Sequence, residues 1–253
     1  MIQSLLKREQ TVTQSIKKDS HDARGAAFKR LTLAEEMVFL ASNYLIVSSV
    51  SQSMMKLRNE EALNDARKSL YKAVIYLEEV VSPLVDVPYS DYEEKLEEII
   101  ALDARRRYTI IRKIGLALQL LENAYGDNTK WKWAFVELEG RYAAVAKNIM
   151  DLKAAVANTD PRSPDYEPTV YHLRLMKKLL QQAADRYREK YELSTNRIDD
   201  FKMGIHFLNS LKRIHGLLGE RGDAETVKKK VEIWSAKLEV DMKKQEEAAF
   251  KRI

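Results

Sequence analysis

The sequence predicts an all-α protein: an elongated bundle of about seven or eight helices built round a long antiparallel helical hairpin over about 90–157. Three observations carry this. Gly and Pro number only 8 and 5 among 253 residues, against roughly 18 and 13 at average usage. Charged residues make up 32%, and Ala, Leu, Lys, Glu, Arg and Gln dominate, as in helices whose exposed positions hold strong helix formers. Apolar residues recur at steps of three and four along most of the chain, the period of helices with one buried face.

Taken in order, Ile2, Leu5, Leu6, Val12 and Ile16 fall near one face of a first amphipathic helix. Lys17, Lys18, Asp19 and Ser20 interrupt it, with Gly25 shortly after. A second helix is predicted over about 26–57, with Leu33, Met37, Leu40, Tyr44, Val47 and Met54 inward. Its run 37–55 holds no charge, but Ser, Asn and Gln punctuate it, so a buried helix is expected rather than a membrane span. Asn59 or Glu60 opens a third helix, with Leu63, Ala66, Leu70, Val74, Leu77 and Val81 inward. Ser82-Pro83 ends it, because proline disfavours helical geometry in the residue before it.

Ser90 is a good N-cap, and Asp91, Glu93 and Glu94 crowd the following turn, where the helix dipole favours negative charge. From there to Tyr125 no proline intervenes and Gly115 is the only glycine. About 36 residues make a rod roughly 54 Å long if unbroken. Gly126 closes that helix, and Asn128 or Thr129 caps the next. Trp131, Phe135, Leu138, Tyr142, Val145, Ile149, Leu152 and Val156 then face back across the hairpin.

The stretch 158–168 carries three of the five prolines and reads as a loop. The expected organisation is a single all-helical unit over 1–253. Two helical subdomains, 1–157 and 169–253, joined by the Pro-rich loop 158–168, are the alternative. Helices follow over 169–193 and about 196–218, with a break at Ser194-Thr195-Asn196. Gly216, Gly219 and Gly222 end this stretch, and Asp223 caps a final helix. There Val227, Val231, Trp234, Leu238 and Met242 form a narrow stripe flanked by Lys and Glu, like a coiled-coil seam. No fixed period of 34 or 40 residues recurs, so helical-repeat arrays are not expected.

The chain has no cysteine, which excludes disulfides, thiolate metal sites and cysteine nucleophiles. His21, His172, His206 and His215 lack the Glu-x-x-His spacing of a bundle metal site. No phosphate-cradling glycine motif or nucleophile elbow is present. The acidic group Glu93, Glu94, Glu97 and Glu98 reads as solvated charge at a helix start. No catalytic residue, cofactor or metal ligand is therefore nominated, and an enzyme is the disfavoured class.

The net charge of +5 divides unevenly: +4 over 1–30, −5 over 31–168, +5 over 169–222 and +1 over 223–253. Arg105, Arg106, Arg107, Arg112 and Lys113 wrap a helix rather than mark one face. Aromatic and basic residues interleave on helices, with no strand to stack bases, so nucleic acid is not expected. The chemistry left is partner binding. The expectation is a non-enzymatic structural or scaffold protein presenting long helical faces to protein partners, in a homo-oligomer, a filament-associated layer or a multi-protein assembly. Trp133, Arg105, Arg106, Arg107 and Trp234 are the candidate contacts. Trp131 and Trp133 lie about 200° apart on a helix and cannot share one face. In size and helicity the chain also resembles BAR-type curved dimers, which implies a membrane-surface module using basic faces, Lys7, Arg8, Lys17 and Lys18 among them. The first residues carry charge and no apolar core, unlike a secretory signal. Cytoplasm is the default expectation, with an exported compartment open if a leader has been removed.

Overall fold

The computed structural model describes residues 2–18, 21–126 and 129–250, with side chains through 247. Among the described residues there are ten α-helices and no strand, so the chain is an all-α bundle. The predicted interruption at Asp19 and Ser20 and the predicted cap Asn128 lie outside the described residues.

The first three helices are α1 (Ile2–Lys18), α2 (Ala23–Met55) and α3 (Glu60–Val80). Asp22 caps α2 by accepting from the Gly25 amide at 2.8 Å, and Asn59 caps α3 by accepting from Ala62 at 3.0 Å. Both satisfy amides that the first helical turn leaves unpaired. Ile2, Leu5 and Leu6 of α1 pack on the core built by α2 and α3. Glu9 sits within that inner face and accepts from Tyr76 Oη at 2.7 Å and Lys72 Nζ at 2.8 Å. This buried carboxylate thus has two partners on α3, which offsets its desolvation.

The pairing of α2 with α3 is the most extensive in the molecule, while the two arms of the predicted hairpin touch sparsely. The expected rod over 90–125 is broken. A 3-10 turn (Tyr89–Asp91), α4 (Glu93–Glu98) and α5 (Ala104–Tyr125) replace it. Asp103 starts α5 afresh by accepting from the Arg106 amide at 2.6 Å. Arg107 closes the break: it donates to Leu102 O at 2.8 Å and to Ile99 O at 3.1 Å, the second carbonyl also accepting from the Leu102 amide at 2.9 Å. Gly126 ends α5 at φ +73°, a conformation that suits glycine.

Next comes α6 (Lys132–Asn148), the helix both halves share. Phe135, Leu138, Tyr142, Val145, Ala146 and Ile149 enter a first apolar cluster with α2–α5. Val136, Ala143, Ala144 and Met150 enter a second with the helices that follow. A helix with apolar residues on two faces is buried between two neighbours. The two cores therefore part along α6 and not at the loop 158–168. Gly115 of α5 lies so close to Tyr142 that a Cβ there would sit 2.5 Å from the phenol oxygen. That oxygen donates to Ile111 O at 2.8 Å. Lys147 and Asn148 tie down the extended segment after α3. Lys147 Nζ donates to Val85 O at 3.0 Å, and Asn148 Nδ2 donates to Ser82 O and Leu84 O.

The second half comprises α7 (Leu152–Ala157), α8 (Tyr166–Lys190), α9 (Ile198–Leu217) and α10 (Arg221–Phe250). Pro168 lies in the first turn of α8, where its missing N–H has no helical partner to lose. That is why the helix starts three residues before the predicted 169. Residues Tyr191–Thr195 widen into a π turn that ends at Asn196, φ 47°, at the predicted break. The last helix begins two residues before its predicted cap Asp223, directly after Gly219 (φ +72°) and Glu220. Its predicted seam packs within the chain, with Val227 and Trp234 buried and Val231 and Leu238 partly covered by the second cluster.

The surface area is 14313 Å², against roughly 11,500 Å² for a compact monomer of this mass. That excess fits an elongated bundle. Along the 30-residue α10, Val227 and Trp234 are the buried positions among the described side chains.

Candidate functional site

The predicted contact residues separate into buried and exposed sets. Arg107 is 6% exposed and spends its guanidinium on the carbonyls of Ile99, Leu102 and Ile149. It cannot reach a partner, and its role is to close the break between α4 and α5. Trp234 is 3% exposed, 5.7 Å from the Phe201 ring, with Arg188 and Lys230 over its faces. It is a core residue of the second cluster and not a surface anchor. Trp133 is half-buried against that same cluster, with the Lys132 ammonium 4.7 Å from its ring. Trp131 packs instead on the first cluster under Arg67, so the two indoles point to different cores. Arg106 is exposed and meets Glu35 of α2 at 3.3 Å. Arg105 is exposed and lines a groove described below.

The most exposed apolar surface lies on α2, where the sequence predicts a buried helix. Its first half is buried as expected, through Leu33, Met37, Leu40 and Ala41. Beyond that, Phe39, Ile46, Val47, Val50 and Met54 are 45–79% exposed. At 100° per residue these five fall within about one-third of the helix circumference. No charge interrupts residues 37–55. Of all the described helices, α2 alone is long and apolar enough to cross a membrane, yet one flank of it is packed along α3.

A second feature is the groove between α5 and α8, with Tyr142 of α6 in its floor. The rings of Tyr108 and Tyr171 are 6.1 Å apart at one end. At the other end Arg186 Nε donates to Glu139 at 3.0 Å, beside Glu122. Residues 108 and 171 therefore pair as 122 and 186 do, and α5 and α8 run parallel. The main cavity measures about 760 Å³, and a smaller one of about 360 Å³ adjoins it through Tyr108 and Arg112. Burial, and the Glu139 carboxylate beside it, raise the Glu122 carboxyl to about 8. Its Oε1 has no hydrogen-bond partner. Sequence reasoning passes over Glu122, because nothing local marks it; its neighbours come from α6 and α8.

One side-chain cluster has metal-like geometry: His215, Glu220 and Asp223 converge between α9 and α10. Lys177 already donates to both Glu220 oxygens, at 2.6 and 2.9 Å, and His215 Nδ1 lies 2.5 Å from Glu220. The acceptor positions are thus filled by an ammonium and an imidazole, and the cluster works as an ion-pair clasp between helices.

Residues 1–242 match the TP0443 family, and the chain belongs to that family. No curated protein and no solved structure matches it.

Proposed function

We propose that this TP0443 family protein is a non-enzymatic structural protein that works within an assembly, and that it self-associates through the uncharged face of α2. The supporting observation is the stripe Phe39, Ile46, Val50 and Met54, exposed without a charged residue between 37 and 55. Contiguous apolar patches beyond a few hundred Å² mark interaction sites. At these exposures the side chains together offer on the order of 400–500 Å², about half of the ~800 Å² that one partner brings to a standard interface, the share an apolar interface centre supplies.

A second copy is the favoured occupant. Residues 37–55 carry no charge of either sign, so a pairing of two such faces opposes no like charges. The stripe steps by seven, four and four, the spacing with which two helices interlock side chains. A twofold pairing of α2 with α2 makes the patch its own complement.

A membrane surface is the competing occupant. It draws less support from α1, whose Ile2, Leu5 and Leu6 pack on the core. Several basic residues of 169–222 are also taken: Lys177 by Glu220, Arg186 by Glu139, Lys190 by Asp200 and Arg213 by Asp86. Sedimentation equilibrium tests the proposal. A dimer at micromolar concentration that becomes a monomer with Val50→Glu is the expected result. A monomer at every concentration would overturn it. Should that monomer co-sediment with phosphatidylserine vesicles, and lose them on Val50→Glu, the face belongs to lipid.

A further inference from the structure

The groove between α5 and α8 lies on a different side of α5 from α2, and its chemistry changes along its length. Arg105 and Arg112 line the Tyr108 end, and Lys178 lines the groove about two α8 turns beyond Tyr171, all three with no ion-pair partner among the described residues. This contrasts with Arg106 and Lys113, a quarter-turn round α5, which both meet Glu35. Glu167 is the one acid lining that end. The middle is apolar, with Leu116 57% exposed and Leu175 and Leu179 opposite it. Gln119 and Gln182 present free amide side chains across the gap. The far end closes on Glu122, whose Oε1 lacks a donor.

We propose that this groove docks an extended acidic peptide segment, its carboxylates held between Arg112 and Lys178, its apolar side chains on Leu116 and Leu179, and an N–H donor at Glu122. Three features select this ligand. Two cations from facing helices without partners fit an anion, and charge-assisted hydrogen bonds are the strong ones. Alternating apolar and amide-bearing walls match an extended chain, whose side chains alternate between two faces while its backbone N–H and C=O groups point out from its edges. From Arg112 to Glu122 the helix rises about 15 Å, the span of four or five extended residues at ~3.3 Å each. A fatty acid fits less well, because Leu116, Gln119 and Gln182 are exposed and would leave one side of an acyl chain in water. The site is independent of self-association through α2.

The test uses the full chain and a fluorescein-labelled peptide, Glu-Glu-Leu-Gly-Leu-Gly-Leu-Lys, followed by anisotropy. Saturable binding is expected. The charge-reversed peptide Lys-Lys-Leu-Gly-Leu-Gly-Leu-Glu should bind about tenfold more weakly or worse, as should the double variant Arg112→Glu/Lys178→Glu. These side chains are exposed, and an unchanged circular dichroism spectrum checks the fold. Leu116→Asp, also exposed, supplies an independent variant that should weaken binding. No saturable binding to the wild type would overturn the proposal, as would binding that the variants leave unchanged. Laurate binding by calorimetry, lost in the double variant, without peptide binding, would assign the groove to a small amphiphile and equally overturn it.

Discussion

Arg107 on α5 donates from Nη1 to the carbonyl of Ile149 at the end of α6, 2.7 Å away. The same guanidinium also serves Ile99 and Leu102, so one side chain satisfies carbonyls from two helix ends and the break between α4 and α5. A buried carbonyl without a donor loses its share of hydration with nothing in return.

Replacing Arg107 with Leu should therefore destabilise the fold by about 2–4 kcal/mol, read from the urea midpoint. Arg107→Lys should recover only part, because a single ammonium does not span the three acceptors with a planar fork. A loss below about 1 kcal/mol for Arg107→Leu would show that water takes over these bonds.

The indoles provide a graded comparison. Trp234 is enclosed in the second cluster, so Trp234→Ala should lower stability by about 3–5 kcal/mol. Trp133 is half-buried, and Trp133→Ala should cost roughly half as much. Thermal melts of the two variants settle the order; equal losses would mean that Trp133 is as much a core residue as Trp234.

Acid stability should depend on His172. Burial lowers its pKa to about 4, and Nε2 lies 2.8 Å from the Ala146 carbonyl, so the folded imidazole stays neutral and donates there. In the unfolded chain the ring titrates near 6.5. As pH falls from about 6.5 to 4 the unfolded state takes up a proton that the folded state refuses. Stability should drop by on the order of 3 kcal/mol over that window. His172→Gln, which keeps an N–H donor, should flatten the slope in denaturation at pH 7, 6 and 5. An unchanged slope would place the acid sensitivity elsewhere.

Glu122 should tilt the curve the opposite way. Its carboxyl is raised from 4.5 to about 8, so its contribution is fully present below pH 4.5 and is lost as pH rises towards 8. Glu122→Gln keeps a neutral, hydrogen-bonding side chain there. The variant should gain melting temperature relative to the wild type between pH 5 and pH 8. A parallel pH dependence in both proteins would show that Glu122 ionises freely in the folded state.

The helices themselves were legible, because period, caps and prolines are local. Asn59 caps α3 and Ser82-Pro83 ends it much as the residues suggest. The break at 99–103 was not read, although Asp103 carries a cap signal. Ile99 and Leu102 are buried within it, so the apolar period runs on unbroken in the sequence. Exposure along α2 was hidden for a different reason: its missing charges are visible, but which flank α3 covers is a tertiary matter. Arg105 and Arg112 were read as part of a basic cluster that wraps the helix, although their spacing of seven sets them on one side of it. The groove they line could not be read, since its other wall is α8, some sixty positions along the chain. Arg107 and Trp234 were misplaced as contacts because a helical pattern marks what is apolar or charged, not which acceptors or rings await it.

Because α6 gives one side to each apolar cluster, neither half can come apart while the other stays whole. Melting α6 would strip Tyr142 and Val145 from one core and Ala143 and Ala144 from the other in the same event. The chain should accordingly unfold in a single cooperative transition despite its length. Its slowest-exchanging backbone amides should lie along α6, the last backbone to open to solvent.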